Sequence, residues 1–466
     1  MVVALDGTVL TVVQPALQRD LGASFTQVQW TSTGYLIAVA SLLVFAGRLG
    51  DRYGHRRVFA VGTLGFALTS AGIGLASDIG WVIALRVAQG VFGALLQPAT
   101  LGMLRAAYPP DRVGMPIAVR TSVIGLAAAA GPVLGGALAT ELGWRSVFFL
   151  SVVPALVIGV LALLVRVPTP PREGPAPGLD LTGAGLLAVA LACLVHTLVG
   201  ASESGRPAAT VLGACGTVLA AAVFIRHERR AASPLIPPLL IGSATVGPAL
   251  GILVAASAAM FGALFVGTYF LQDVLELDPL HSALRALPLA ITMIVSAPYA
   301  AVLLRRYGPR RTITAAMAVL TLGVLALSRL DQASGPVAVG AGFLLVGAGF
   351  GTVMVAATAV VVRHAPVSEA GVAGGLQQTA MNVGPTLGIA LATTLMTALA
   401  GHAPGTEPHR TDGAFLSAMA PTLAILAAVA ALGAAAATRL PGRLTRPGDD
   451  EDAGRPATEG TPSGRG

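Results

Sequence analysis

The sequence contains no lysine, and all 29 of its basic residues are arginine. A P-loop holds nucleotide phosphates with a lysine, so this chain carries no such nucleotide site. We therefore do not expect an ATP-driven pump. A lack of lysine together with abundant alanine, glycine and arginine is typical of GC-rich coding, which indicates a bacterial source.

Cysteine is almost as scarce, since the chain has only Cys193 and Cys215. Both lie in apolar runs, where a free cysteine behaves as a small buried hydrophobic residue. Two such residues support neither a disulfide framework nor a metal site. We expect no metal ion and no cofactor.

Charged residues are also few. They make up 11% of the 466 residues, whereas 55% are hydrophobic and the mean hydropathy is +0.78. Soluble domains contain about 25% charged residues, so this chain is predicted to be an all-α membrane protein with many spans. The pI near 10.2 does not indicate nucleic-acid binding, because the arginines fall in short loops between apolar runs rather than on one face.

The apolar runs predict about fourteen transmembrane helices, each near the ~20 residues that cross a bilayer. With the N-terminus in the cytoplasm, 21 arginines fall in cytoplasmic segments, 5 in outer loops and 3 within or beside spans. This asymmetry predicts that both termini are cytoplasmic. We therefore expect a multi-pass protein of the bacterial plasma membrane, in contact with lipid.

Two sequence patterns occur twice. Residues 47–57 recur as 301–311 with an offset of 254 (305 − 51), and Gly131–Gly135 recurs as Gly384–Gly388 with an offset of 253 (384 − 131). A basic loop repeated between apolar runs indicates an internally duplicated transporter. Because the repeats relate helix n to helix n+8, we expect two six-helix repeats and two inserted helices. The predicted parts are an N-terminal bundle with a truncated helix 1 (1–165), linkers with helices 7 and 8 (166–240), a C-terminal bundle (241–438) and a disordered cytoplasmic tail (439–466).

The first copy of the loop carries a recognisable pattern, formed by Gly47, Asp51, Arg52, Gly54, Arg56 and Arg57. The pattern is similar to the cytoplasmic signature of the major facilitator superfamily, and the chain resembles that family's fourteen-span drug:proton antiporter branch (EmrB/QacA type). Glycines permit a tight turn and close helix approach. Asp51 can cap the next helix or pair with an arginine across the bundle, so the loop is predicted to be a cytoplasmic gate. The alternative is a plain positive-inside loop.

Span 5 carries a second pattern, formed by Gly131, Pro132, Gly135 and Gly136. It resembles the family's antiporter motif, which accompanies export. Small residues let helices approach and Gly-Pro lets a helix bend, although ordinary packing is the alternative. Arg120, near the inner end of the same span, has two interpretations of equal weight, a functional arginine or one that snorkels to the interface.

Span 4 carries a third pattern, formed by Arg86, Gln89, Gly90 and Gly93. It is similar to the family's Arg-x-x-Gln-Gly motif, which is tied to proton coupling. An arginine inside an apolar span is costly and usually faces a cavity or a partner. Arg86, Gln89 and Gly93 lie on one helical face. The alternative is a structural arginine bonded to backbone carbonyl groups.

Span 1 contains Asp6 within Leu5–Val9, which resembles the signature of the fourteen-span branch. Asp6 is the one acid that we place within an apolar span, so it is predicted to take up and release the coupled proton. The alternative is a helix-end cap. Only five residues precede Asp6, so we expect that about ten or more residues of this span are missing from the chain.

The resemblance implies a proton-coupled antiporter that exports small amphiphilic or hydrophobic compounds by alternating access. With few charges available to line a cavity, hydrophobic or cationic drugs are favoured over highly charged metabolites. One alternative is a dedicated exporter of an endogenous antibiotic, siderophore or amino acid. A remote alternative is a membrane transferase, but its clustered acids or histidines are lacking, so no enzyme is expected. The expected partners are substrate, protons and lipid, and we expect a monomer.

Overall fold

The chain is all-helical in its computed structural model. The structure describes residues 2–109, 112–164, 178–201, 207–231, 234–237, 240, 242–277, 279–399 and 412–441. Most of the first predicted linker (165–177) and the predicted tail beyond Pro441 lie outside the described residues.

Eight long helices come first, and polar caps start several of them, among them α2 and α4. At the start of α2 the Ser24 hydroxyl accepts a hydrogen bond from the Gln27 backbone amide, and the Gln27 side chain accepts one from the Ser24 backbone amide. At the start of α4 the Asp78 side chain accepts one from the Gly80 backbone amide. Such caps satisfy amide groups that have no partner inside the helix. The helices are α1 (Val2–Asp20), α2 (Phe25–Tyr53), α3 (His55–Leu75), α4 (Ile79–Ala107), α5 (Gly114–Leu142), α6 (Trp144–Leu164), α7 (Leu181–Ala201) and α8 (Pro207–Glu228).

The second part of the chain continues the pattern. The long helix Pro279–Leu327 leaves the helical conformation at Gly308, so we divide it there into two helices. The elements are α9 (Val246–Tyr269) with a π-helical extension (Phe270–Val274), α10 (279–307), α11 (309–327), α12 (Pro336–His364), a 3₁₀ turn (Val367–Glu369), α13 (Ala370–Leu399) and α14 (Asp412–Ala437).

Ten helical segments of the described residues are long and apolar enough to cross a membrane. One of them, His281–Leu327, contains both α10 and α11, and two shorter apolar stretches lie in α5 and α7. Large apolar side chains such as Leu68, Leu75 and Leu212 point outward, as lipid contact requires. The protein is therefore an all-helical, multi-span membrane protein, and a count of fourteen spans stays a prediction.

Two glycines turn the chain at equivalent places in the sequence. Gly54 between α2 and α3 has φ 94°, and Gly308 between α10 and α11 has φ 78°. Glycine adopts these left-handed conformations without the steric cost that other residues meet. The offset of 254 (308 − 54) equals that of the repeated basic loop, so the repeated sequence forms a repeated backbone turn.

Helices α1–α6 and helices α9–α14, which we call the two halves, meet chiefly through α2 with α13 and α5 with α10, and also through α4 with α13 and α5 with α12. A Cβ added to Gly47 would overlap the carbonyl group of Gly371, so these backbones touch. At the second pair the Ser122 hydroxyl donates to the Ile294 carbonyl oxygen at 3.0 Å. We call the end of the molecule that carries Gly54, Gly308 and the 365–369 connection the basic end.

Helices α7 and α8 form a peripheral pair. α7 packs against α2 and α13, and α8 packs against α7. Asp180 caps α7 through the Gly183 amide at 2.8 Å and also lies 2.8 Å from His227 Nε2 of α8. Arg48 of α2 donates to the Pro234 carbonyl oxygen at 3.1 Å, which ties the following segment to the basic end. No described residue of α7 or α8 lines the central cavity between the two halves.

Candidate transport site

A buried ion pair joins α1 to α4. Arg86 Nη1 lies 2.6 Å from Asp6 Oδ2, and the two residues are 1% and 7% exposed. Gln89 accepts a hydrogen bond from Arg86 and donates to Asp6 Oδ1 at 3.3 Å and to Ser70 Oγ at 2.7 Å. Burial of two charges is tolerated because they are paired and hydrogen-bonded. The structure thus brings the two predicted coupling residues into direct contact.

Helix α2 fixes the Arg86 guanidinium from the other side. Arg86 Nε donates to the Thr31 carbonyl oxygen at 3.1 Å, and its Cζ lies 4.4 Å from the centre of the Tyr35 ring, within cation–π range. A Cβ on Gly90 would lie 2.6 Å from the Tyr35 carbonyl oxygen, and one on Gly93 would lie 3.3 Å from the Tyr35 hydroxyl. The two glycines of the span-4 pattern therefore let α2 approach the ion pair.

Asp51, near the end of α2, caps the start of α13. Its carboxylate accepts hydrogen bonds from the Gly371 amide at 2.7 Å and the Val372 amide at 3.0 Å. His55 Nε2 lies 3.3 Å from the same carboxylate, and the Asp51 side chain has no exposed surface. A helix N-terminus stabilises negative charge through its free amide groups and its dipole. Asp51 thus connects the two halves, with a partner in α13 that the sequence did not predict.

The other residues of the gate pattern surround this contact. Gly47 packs against Gly371, and Gly54 forms the turn. Arg52 lies 5.5 Å over the ring of the adjacent tyrosine, Arg56 donates to the carbonyl oxygen of Leu163 at 3.2 Å, and Arg57 is exposed. Gly47 and Asp51 thus contact the other half, whereas Arg52 and Arg56 have these contacts within the first half.

Glu369 lies beside this contact, in the connection before α13. Burial raises the pKa of Glu369 above its ordinary value, the nearby Arg48 cation opposes that rise, and the Asp51 charge adds to it. Burial and a like charge both disfavour the ionised carboxyl group. Glu369 therefore takes up a proton at a higher pH than an exposed glutamate would.

The glycines of span 5 lie against α1. A Cβ on Gly135 would lie 2.6 Å from Val9 Cγ1, while Gly131 is buried and Gly136 is half-buried. Gly384 packs comparably in the other half, where its Cβ would lie 2.5 Å from Ser257 Cβ on α9. The side chain of Pro132 lies outside the described part of the chain.

A cavity of 610 Å³ lies between the two halves, beside the ion pair. Most of its described walls are apolar. Its aromatic and thioether residues are Phe59, Phe66, Phe261, Phe350, Met260, Met293, Met354 and Met381, and its larger polar residues are Tyr35, Gln97, Arg120, Gln378 and Asn382. This size and lining suit a small amphiphilic molecule.

Sequence analysis missed the polar side chains that α13 gives to this cavity. Gln378 accepts a hydrogen bond from Arg120 at 3.4 Å, and Asn382 donates to the Gln378 carbonyl oxygen at 3.0 Å. Their signal was present, because an amide pair four positions apart shares one face of a membrane-spanning helix, where polar side chains usually face a cavity or a partner. Arg120, whose role the sequence left open, lines the cavity.

Comparison with known proteins gives a family. The profile of the Major Facilitator Superfamily matches residues 1–389. The tetracenomycin C resistance and export protein of Streptomyces glaucescens is 40% identical over 402 residues, which cover 86% of this chain and 74% of that protein. The puromycin resistance protein pur8 of Streptomyces alboniger is 35% identical over 425 residues, which cover 89% of this chain and 84% of that protein.

A solved structure shares the fold. The human organic anion transporter MFSD10 (TETRAN) superposes with a TM-score of 0.62, covering 93% of this chain and 98% of that one. At 15% identity this likeness concerns the fold alone. Together with the profile match and the relatives, it leads to one conclusion: the chain belongs to the Major Facilitator Superfamily.

Proposed function

We propose that this member of the Major Facilitator Superfamily is a proton-coupled exporter of small amphiphilic or hydrophobic compounds. The observation that carries the proposal is the buried pair of Asp6 and Arg86 beside a mostly apolar cavity between two helical halves. An acid held inside a transporter's membrane region is a natural carrier for a coupled proton. The names of the two curated relatives, which speak of resistance and export, support the outward direction.

Within the family we assign the chain to the fourteen-span drug:proton antiporter branch. The proposed layout has six helices in each half, α1–α6 and α9–α14, with α7 and α8 added outside. The equivalent turns at Gly54 and Gly308 support a repeat, and the packing of α7 on α2 and α13 supports a peripheral pair. Arginine placement supports cytoplasmic termini in a bacterial plasma membrane.

In this proposal the basic end is the cytoplasmic gate, and the contacts between α2 and α13 keep it closed. The Asp51 cap on α13 and the contact between Gly47 and Gly371 would both be broken when the halves rock apart. Alternating access in such transporters moves one half against the other around a central site. Opening therefore requires the Asp51 carboxylate to exchange two amide partners for water.

Coupling would work through the charge on Asp6. A proton from the outside neutralises the carboxylate and weakens its tie to Arg86, and loss of that proton to the inside restores the ion pair. If substrate binding favours the deprotonated state, each export step is linked to proton entry.

The test is efflux from vesicles that hold the purified protein and an imposed pH gradient. Asp6→Asn should abolish pH-driven efflux, because the amide cannot carry the proton, whereas Asp6→Glu should retain part of it. Arg86→Ala should also uncouple transport. Asp273→Asn is the matched control, because that aspartate is exposed. Efflux by Asp6→Asn at the wild-type rate would contradict the coupling role, and no efflux of any compound by the wild type would contradict export.

A second candidate is a dedicated exporter of one endogenous metabolite. The name of the Streptomyces glaucescens relative, which specifies one compound, favours this alternative. A susceptibility and efflux panel in a host stripped of its own pumps separates the two. Broad resistance supports multidrug efflux, and resistance to one chemical family supports a dedicated exporter.

A further inference from the structure

We propose that Arg120 makes the central cavity an oxyanion site, so that the preferred substrates are aromatic amphiphiles with an ionised acidic oxygen. Such an oxygen can be a carboxylate, a phenolate or an enolate. This inference rests on the proposed export function, since it names the substrate class of the same cavity. It also departs from the sequence-based expectation of hydrophobic or cationic drugs.

The first observation is the environment of Arg120. It projects from α5 into the cavity, where its Nη2 donates to Gln378 Oε1 of α13 at a long distance of 3.4 Å. Among the described residues, no carboxylate lies within ion-pair distance of this guanidinium, in contrast to Arg86, which is paired with Asp6. A partly buried cation that has only a neutral partner gains most from an anionic ligand, because the surrounding dielectric is low.

The second observation is the charge of the cavity as a whole. Of the described lining residues, Arg120 is the one that carries a full charge at neutral pH. Asp6 lies next to the cavity, but Arg86 and Gln89 already hold its carboxylate. A cationic guest would therefore meet uncompensated positive charge, whereas an anionic guest would neutralise it.

The third observation is the rest of the lining. Four phenylalanines and four methionines form the apolar walls, and these suit a flat aromatic body, because thioethers adapt to irregular shapes and contact ring edges. Tyr35 lines the cavity and is 6% exposed, and its hydroxyl has no hydrogen-bond partner in the described structure. That hydroxyl is buried toward Gly93 of α4, so it does not face a guest. The lining therefore fits an aromatic body that carries one ionised oxygen.

The test uses two dyes with the same xanthene skeleton and opposite charge. Fluorescein methyl ester is a monoanion, and the corresponding rhodamine methyl ester is a monocation. Equilibrium binding to purified protein without a pH gradient, followed by fluorescence polarisation, separates ligand preference from transport. Wild-type protein should bind the anion at least about tenfold more tightly than the cation, since a charge-assisted hydrogen bond contributes about that factor or more.

Two variants remove the free charge in different ways. Arg120→Gln deletes the cation, and Gln378→Glu gives Arg120 a carboxylate partner inside the cavity. Both should weaken anion binding by about 10- to 100-fold, while cation binding stays the same or improves. Arg120→Lys should keep most of the anion affinity. Arg229→Gln is the control, because that arginine is exposed beyond the end of α8.

Three results would overturn the inference: no anion binding by the wild type, a wild-type preference for the cation, or equal anion affinity in the wild type and both charge-removing variants. None of these bears on whether the protein exports compounds. Efflux in the imposed pH gradient tests that separately. Anion binding without any efflux would contradict the proposed function and leave the ligand preference standing.

Discussion

Single residues set the chemistry of this transporter, and Asp6 and Arg86 are the two that carry opposite charges in the buried pair. Removal of one partner of a buried ion pair costs about 3–5 kcal/mol, because the other charge is left without compensation. Gln89 and the Thr31 carbonyl group add hydrogen bonds that hold the Arg86 guanidinium in this pair. Side-chain contacts of Asp6 with Arg86 and Gln89 link α1 to α4. In the proposed mechanism, protonation of Asp6 would loosen this link.

Asp51→Asn should weaken the closed basic end. The amide keeps the shape of the side chain and loses the charge that the start of α13 stabilises, an interaction of about 1 kcal/mol and up to ~2 kcal/mol in buried geometry. We expect the open population to rise by about tenfold, and efflux to fall at matched expression. Spin-label distances between exposed positions 53 and 368 measure the opening.

Arg305→Lys is the comparison for this variant. Arg305 occupies the repeat position that corresponds to Asp51 (305 − 254 = 51), and its lysine variant should leave both distance and efflux close to wild type. Unchanged label distances and efflux in Asp51→Asn would refute a role in closure.

At this scale the sequence singled out Asp6 and Arg86 as candidates for proton coupling, but it did not show the contact between them. Asp6 stood out as an acid in an apolar run, and Arg86 and Gln89 as polar residues on one helical face. Their contact is tertiary, because α1 and α4 are separated by two other helices. The bonds from Asp51 to Gly371 and Val372 join residues 320 and 321 positions apart, and no local pattern encodes such a pairing.

At the scale of helices, glycines decide how closely α2 and α13 approach. Gly47 touches Gly371, and Gly375 touches the backbone of Leu43 and Val44. Small residues at such crossings let backbones pack without a side chain between them. The closed basic end therefore depends on surfaces without side chains as much as on the Asp51 cap.

Gly375→Ala should open the basic end. The added methyl group would lie 2.6 Å from the Leu43 carbonyl oxygen and 2.8 Å from Val44 Cα, too close for either backbone to accept without moving. We expect a longer distance between the labels at positions 53 and 368, together with slower efflux.

Gly251→Ala is the control for this overpacking. Gly251 also lies in a long helix, α9, and a Cβ there would meet nothing within 4 Å. It should behave as wild type. An unchanged label distance in Gly375→Ala would mean that these two backbones are not the limiting contact.

The helices themselves were largely predictable, because long apolar runs, polar caps and glycine turns are local signals. The repeated loop at 301–311 already separated α10 from α11, and Gly308 forms the turn between them. The sequence could not show that α7 contacts both halves. Nor could the sequence assign a role to Arg120. An arginine that snorkels to the interface and an arginine that lines a cavity both appear in the sequence as an arginine near a helix end. The hydrogen bond from Arg120 of α5 to Gln378 of α13 answers that question, and it joins residues 258 positions apart.

At the scale of the whole molecule, the cavity and the gate share one helix. The start of α13 receives the Asp51 cap, and its residues Gln378 and Asn382 line the cavity about two turns further on. A guest that pulls on Arg120 and Gln378 therefore acts on the same rigid element that closes the basic end. Site occupancy can in this way bias which end is open.

The central claim is that substrate and proton compete through Asp6. The direct measurement is proton release from purified protein in a weakly buffered solution when an uncharged hydrophobic substrate is added, followed with a pH indicator. An uncharged compound is used because an anionic guest beside Asp6 would itself favour the protonated carboxyl group. The account predicts release by the wild type and by Asp273→Asn, and none by Asp6→Asn. Equal proton release by Asp6→Asn and the wild type would contradict it, because the coupled proton would then reside elsewhere.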